Sequence, residues 1–272
     1  MGWVYAVASG KGGVGKTTTV ANLGAALAAG GHETVVVDAD LGMGNLAGVL
    51  GVDPDAGPTV HDVLAGRVGA DEAVRDGPVG LGVLPASDDL DDFGTANPAN
   101  LSALLDGLAA ETVLVDTSAG LSHDSVEPLR VADEVLLVST AEGGALGDTD
   151  KTREVAERFG TPVAGAVVTR VDQTANGGAV TVAADRLGVP VRGTIPDDAA
   201  VTAAAAAGEP LVVDAPDAPA TRAYQQLAAT LVDDESLAPA ERAAETTAES
   251  DEEGTTTDTD DERTGFLRWL LR

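Results

Sequence analysis

The sequence predicts a doubly wound α/β domain, a mostly parallel sheet with helices on both faces. Its β-branched runs are continuous rather than alternating, Ala- and Leu-rich stretches of helical length separate them, and a glycine-rich loop joins the first run to the first helical stretch. Strands buried on both faces need no polar side, whereas a sheet with one wet face would alternate with period two. An apolar share of 44% in 272 residues suffices for one sizeable core, and with aromatics at 3% that core must be aliphatic.

In chain order, the first strand is Val4 to Ala8, followed by the loop and an alanine-rich helical segment, Lys16 to Ala29. Thr34 to Val37 is the second apolar run and ends in two carboxylates, Asp38 and Asp40. Gly82 to Pro85, Thr112 to Val115, Glu134 to Ser139, Val163 to Val168 and Val191 to Ile195 supply further strands, with crossover helices such as Thr149 to Phe159 between them. A helical pattern from about Ala220 to Val232 closes a domain spanning residues 1–232. Residues 233–263 are rich in Asp, Glu, Thr and Ala and nearly lack large apolar side chains, the composition of a disordered acidic linker. Residues 264–272 reverse that character, with Phe266, Leu267, Trp269, Leu270 and Leu271 packed into the last positions.

Charge and composition exclude several classes. A formal net charge of -29 argues against broad attraction to nucleic acid, which needs a Lys/Arg surface. The absence of cysteine excludes disulfides, thiolate zinc sites and iron–sulfur ligation. An acidic, lysine-poor chain with a small-residue core suggests a salt-loving organism. Met1 to Ala6 has no basic segment leading into an apolar core, and no apolar run approaches the ~20 residues that span a bilayer, so a cytoplasmic location is expected. His32, His61 and His123 show neither metal nor triad spacing and are expected on the solvated surface.

Only three lysines occur, and two of them, Lys11 and Lys16, lie in the loop Ser9-Gly-Lys-Gly-Gly-Val-Gly-Lys-Thr-Thr18. The pattern Gly10-x-x-x-x-Gly15-Lys16-Thr17 between a strand and a helix is a P-loop. Its backbone N–H groups, from Gly10 through Gly12, Gly13, Val14 and Gly15 to Thr18, can converge on phosphate oxygens where the following helix presents its positive end. Lys16 can reach the β and γ phosphates, and the Thr17 hydroxyl can ligand Mg²⁺. Asp38 and Asp40 lie two apart at a strand's carboxyl end, where ligands bind in open α/β sheets, so both can face the same region. Thr112-Val-Leu-Val-Asp116 is a second apolar strand ending in an acid, the Walker B pattern.

With Lys11 added, Lys11-Gly-Gly-Val-Gly-Lys-Thr17 is the deviant Walker A form, and the chain resembles the MinD/ParA family of ATPases, most closely its MinD branch. The resemblance implies ATP and Mg²⁺ as cofactors and an ATP-dependent homodimer in which Lys11 reaches the partner's phosphates, much as an arginine finger acts in trans. It further implies that Asp40 orients or activates the attacking water, that Asp38 acts on the metal through water, and that Asp116 supports the metal. Two later segments, Thr169-Arg170-Val-Asp172 and Pro196-Asp-Asp198, resemble the loops that hold the adenine, which puts Arg170, Pro196 and Asp198 near the base. The family carries proline in the switch where Ser118 stands here, and often asparagine where Thr169 or Asp172 stands.

On a helix, the five large apolar side chains of the terminus fall on one broad face, with Arg268 and Arg272 on the other. Gly265-Phe266-Leu267 resembles the start of the membrane-targeting helix of the MinD branch. So short a helix is marginal in water and orders only when bound. One copy would bind weakly, and two copies tethered by a dimer would gain roughly 10² to 10⁴-fold in apparent affinity. The functions left open are an ATPase that binds a membrane or polar site and positions cell-division or other polar machinery, with an unknown protein partner or cargo, a ParA-like ATPase tracking on DNA, and a noncatalytic nucleotide-gated adaptor. A ParA-like role would call for a basic surface and no apolar terminus; an adaptor would leave Asp40 dispensable.

Overall fold

The computed structural model describes residues 2–121, 123–172, 174 and 178–239. The expected linker beyond Pro239 and the terminal segment with Phe266, Leu267, Trp269, Leu270 and Leu271 lie outside the described residues.

Eight strands form one sheet: β1 (Trp3–Ala8), β2 (Thr34–Ala39), β3 (Arg75–Asp76), β4 (Gly82–Leu84), β5 (Thr112–Thr117), β6 (Glu134–Thr140), β7 (Val163–Val171) and β8 (Val191–Pro196). Their spatial order is β3-β4-β2-β5-β1-β6-β7-β8, parallel throughout except at the β3 edge, which pairs antiparallel with β4. The helices used below are α1 (Lys16–Ala29), α2 (Val60–Leu64), α3 (His123–Val131), α4 (Gly143–Phe159), α5 (Gly178–Leu187), α6 (Ala199–Ala207) and α7 (Pro219–Val232). The sheet is therefore the doubly wound, mostly parallel one expected. The seven apolar runs are all strands, and β3 escaped notice because two polar residues carry no hydrophobic pattern. Helix α4 begins at Gly143, six residues before the expected start, because Gly143 and Gly144 disguise its first turn.

Alternate side chains of each strand build the two layers of core. Tyr5, Val7, Val36, Leu114, Leu136 and Val167 pack with α1, α6 and α7 on one face. On the other, Ala6, Ala8, Leu137 and Val168 pack with α3, α4 and α5, while Val35, Val37, Val113 and Val115 pack with α2. All six residues of β2 and of β5 are buried, so the carboxylates at their ends are carried into a dry layer at the sheet's carboxyl edge.

The packed unit runs to Pro239, seven residues past the boundary that composition placed at Val232. Asp234 caps a short turn, Glu235–Leu237, and pairs with His32 at 3.1 Å. Leu237 is buried so tightly on the end of α1 that a Cβ at Gly30 would stand 1.8 Å from its Cδ2. One leucine and one capping carboxylate hold this acidic stretch to the domain.

The histidine expectation is corrected. His32 is half-buried between Glu111 and Asp234, and His61 has no exposed surface at all. The side chain of His123 lies outside the described residues. Among the described residues, no helix is long and apolar enough to cross a membrane.

Candidate functional site

Strand β1 delivers the chain to the carboxyl edge of the sheet at Ala8, and α1 starts at Lys16, so the P-loop spans the gap between them. Gly13 (φ 75) and Gly15 (φ 95) are left-handed, a conformation that admits glycine without strain. Gly10 is required for a different reason: a Cβ there would lie 2.0 Å from the carbonyl oxygen of Asp148 on α4. Ser9 Oγ donates to the Lys11 carbonyl at 2.9 Å, and Thr169 Oγ1 donates to the Val14 carbonyl at 2.6 Å. Helix α1 has no side-chain cap and no acid in its first turn, which leaves its leading N–H groups and positive end available to an anion.

The charges behind the loop are few and buried. Lys16 is only 8% exposed, and burial lowers its ammonium pKa against the opposing pull of Asp116 and Asp40. Asp38 and Asp116 are register partners on neighbouring strands β2 and β5, both almost fully buried. Burial raises the pKa of Asp38 well above the carboxylate range, and Asp116 pushes it further. Burial raises Asp116 to about 7, opposed by a hydrogen bond with the Thr17 side chain and by Lys16. Among the described residues Oδ1 of Asp116 has no hydrogen-bond partner. An orphan buried carboxylate oxygen beside a threonine hydroxyl is a donor set that fits Mg²⁺ and its waters, since this cation takes few protein ligands and keeps several waters. No group of three or more His, Asp or Glu among the described residues is arranged to hold a metal alone.

Asp116 implies a pH dependence whose sign follows from linkage. Its folded pKa lies above the unfolded one, so between about pH 4 and 7 the folded state holds the extra proton, and stability falls as pH rises through that window. Asp116→Asn removes the titration but keeps an acceptor for Thr17. Without nucleotide or Mg²⁺, the variant is expected to exceed the parent in stability by on the order of 2 kcal/mol near pH 8, with the gap closing toward about pH 4. Denaturant midpoints across that range measure it, and a gap that did not change with pH would refute it.

The post-β2 loop is tied to Asp38. Its Oδ1 accepts from the Asp40 N–H at 3.2 Å and its Oδ2 from the Leu46 N–H at 3.1 Å. Gly44 must be glycine because a Cβ would approach Asp38 Oδ2 to 2.6 Å. Asp40 itself accepts from the Met43 N–H at 3.2 Å, remains partly exposed, and stands close enough for its charge to act on both Lys16 and Asp116. The two carboxylates thus divide: Asp38 is spent on backbone donors, and Asp40 faces the Lys16 side.

Beside the loop lies a cavity of about 230 Å³ lined by Val14, Gly15, Thr18 and Tyr224 together with Arg170, Pro196 and Asp198. The three residues expected near a base thus line one cavity beside the phosphate loop. Arg170 is exposed and adopts φ 53. Asp198 lines the cavity while its oxygens accept from the Ala200 and Ala220 N–H groups, capping α6 and seating the start of α7. Asp172 makes a turn with Thr174, and Thr169 is a buried prop under the P-loop. Tyr224, whose hydroxyl lies 3.4 Å from Thr19 Oγ1, was not singled out from the sequence; a lone aromatic in an alanine-rich helix was its signal. Lys11 stands apart, its side chain 50% exposed and 3.7 Å from the exposed Glu142, an ion pair of little energetic weight.

Comparison with known proteins agrees with this geometry. The profile of the CobQ/CobB/MinD/ParA nucleotide binding domain matches residues 5–211. An uncharacterized ATP-binding protein of Methanocaldococcus jannaschii is 36% identical over 203 residues, covering 74% of this chain and 76% of the relative. The septum site-determining protein MinD of Pyrococcus horikoshii, solved with Mg-ADP, superimposes with a TM-score of 0.78 at 32% identity, covering 84% of this chain and 95% of that one. The cell division ATPase MinD of Pyrococcus furiosus gives a TM-score of 0.79 at 34% identity, covering 86% and 99%. With the phosphate loop, the paired strand-end acids and the flanking cavity in one place, this chain belongs to the CobQ/CobB/MinD/ParA family of nucleotide-binding proteins.

Proposed function

We propose that this chain is a Mg²⁺-dependent MinD-like ATPase that closes into a homodimer on ATP, resides on a membrane or polar site through its C-terminal segment, and leaves it on hydrolysis. The observation that carries the reading is the contrast between the two loop lysines: Lys16 buried among acids under an uncapped helix, Lys11 exposed a few residues away.

In this reading the P-loop N–H groups and the α1 terminus hold the phosphates, and the Lys16 ammonium neutralises charge between the β and γ positions. Thr17 and Asp116 hold Mg²⁺ and its waters, with Asp38 behind them shaping the loop that carries Asp40. The bound cation supplies charge neutralisation on the phosphates. The Asp40 carboxylate accepts a hydrogen bond from the attacking water and sets its line of approach. The base enters the cavity between Arg170, Pro196 and Tyr224. Lys11 of a second copy contributes the charge that one copy lacks at the γ-phosphate. A planar guanidinium does not fit a glycine cradle as a compact ammonium does, which gives a reason for retaining lysine here in an arginine-rich chain.

The apolar terminus, Phe266, Leu267, Trp269, Leu270 and Leu271, is the membrane contact in this proposal. In a saline cytoplasm the screening length falls to about 3 Å at 1 M salt, so apolar insertion must outweigh Arg–lipid attraction. Flotation with anionic liposomes tests the whole reading. The full chain is expected to float with ATP and Mg²⁺ but not with ADP. Deleting residues 265–272 should abolish flotation with ATP binding intact, and Lys11→Ala should abolish it by preventing the dimer. Flotation retained by the deletion would overturn the membrane role.

A further inference from the structure

His61 lies outside the nucleotide site and none of the chemistry above uses it. We infer that His61 is a positioning residue for Asp40, holding the loop that carries it by a hydrogen bond from Nε2 to the Leu41 carbonyl. The inference rests on the ATPase reading for its kinetic consequence, but the hydrogen bond and its effect on the loop do not.

The geometry fixes the tautomer. The backbone N–H of Ser87 donates to His61 Nδ1 at 3.0 Å, and a backbone N–H can only donate, so Nδ1 bears no proton. The ring proton is therefore on Nε2, which lies 3.0 Å from the Leu41 carbonyl, an obligate acceptor. Both partners are main-chain groups and the imidazole itself is fully buried, so each ring nitrogen has one role and no freedom to exchange it.

The ring is referenced to rigid structure on its far side. His61 belongs to α2, whose capping box joins Thr59 and Asp62, and the Val60 N–H donates to the Pro85 carbonyl at the exit of β4 at 2.8 Å. Ser87 is held in turn, its hydroxyl donating to Asp92 at 2.8 Å. Leu41 is thus pinned twice, its side chain in the core with Val37 and Val60 and its carbonyl on His61. Asp40, immediately before it, is fixed at its own N–H by Asp38. Without His61, the loop from Asp40 to Asn45 would keep its anchors at Asp38 and the packing of the Leu41 side chain on Val60, and would lose the hydrogen bond that fixes the Leu41 carbonyl. A displacement on the order of 1 Å is enough to cost a positioned group up to about 10²-fold.

Two substitutions separate the two nitrogens. His61→Gln can place an amide N–H near the Nε2 position and restore the donor to Leu41. His61→Asn reaches only the Nδ1 position and can accept from Ser87 but not reach Leu41. Steady-state ATP hydrolysis is expected to show kcat within about threefold of the parent for Gln and reduced about tenfold or more for Asn, with KM for ATP unchanged in both. In an Asp40→Ala background the Asn substitution should add nothing. Hydrogen exchange of the segment 40–46 supplies the arm that does not need turnover: faster exchange is expected in Asn and parent-like exchange in Gln. Equal kcat and equal exchange in both variants would overturn the inference, as would KM rising in step with the fall in kcat. A parent protein that hydrolyses no ATP while the exchange contrast persists would sink the ATPase reading and leave the positioning of the loop standing.

Discussion

Lys16→Ala is expected to lower kcat/KM for ATP by roughly 10³-fold, measured as Mg²⁺-dependent phosphate release. The size of the effect follows from burial. Lys16 is the buried cation at the phosphate loop, and the acids it offsets, Asp116 and Asp40, remain when it is gone. Removing it therefore subtracts one positive charge at the phosphates and leaves uncompensated negative charge behind it. Removing Lys16 also deletes a charge that lowers the Asp116 pKa, so Asp116 should hold its proton to higher pH and support the metal less well. Lys16→Arg should rescue little, because a planar guanidinium presents its donors in a fixed fork where the loop is met by a compact ammonium. Parent-like turnover in Lys16→Ala would remove the P-loop from the mechanism.

The parts of this site that were legible in the sequence are those built from neighbours along the chain. The phosphate loop, the Asp38–Asp40 pair and Asp116 each sit at the end of an apolar run, and a run that long between turn signals names its strand without a tertiary structure. The parts that were not legible depend on long-range partners. Thr169 supports Val14 across 155 positions, and no local pattern distinguishes a threonine that props a loop from one that touches a base. A histidine with neither metal nor triad spacing reads as a surface residue; the burial of His61 comes from two loops meeting over α2, a consequence of β2 and β4 pairing. The same limit applies at the domain end. Composition marks residues after Val232 as linker, yet Leu237 and Asp234 find partners on α1 and at His32 that only the fold supplies.

Asp40→Ala is expected to separate binding from turnover, with hydrolysis falling by about 10² to 10⁴-fold while ATP affinity changes little. The arrangement around the residue predicts that split. Among the described residues Asp40 accepts from the Met43 N–H, within its own loop, and not from the P-loop. Nucleotide contacts through the loop N–H groups, Lys16 and Thr17 therefore survive the substitution. Loss of a carboxylate near Lys16 should strengthen attraction for a polyanion. What disappears is the acceptor for the attacking water, and in a transition state with little bond formation that role is mainly orientation, for which alanine offers no substitute. The variant should accumulate as an ATP-bound dimer, visible by size-exclusion chromatography with light scattering, and should remain floated with liposomes after the parent has released. Asp40→Asn tests whether proton acceptance matters beyond orientation: it keeps an oxygen to align the water but lacks the charge, so intermediate activity would assign part of the rate to each. Unchanged hydrolysis in Asp40→Ala would instead remove Asp40 from the alignment of the attacking water.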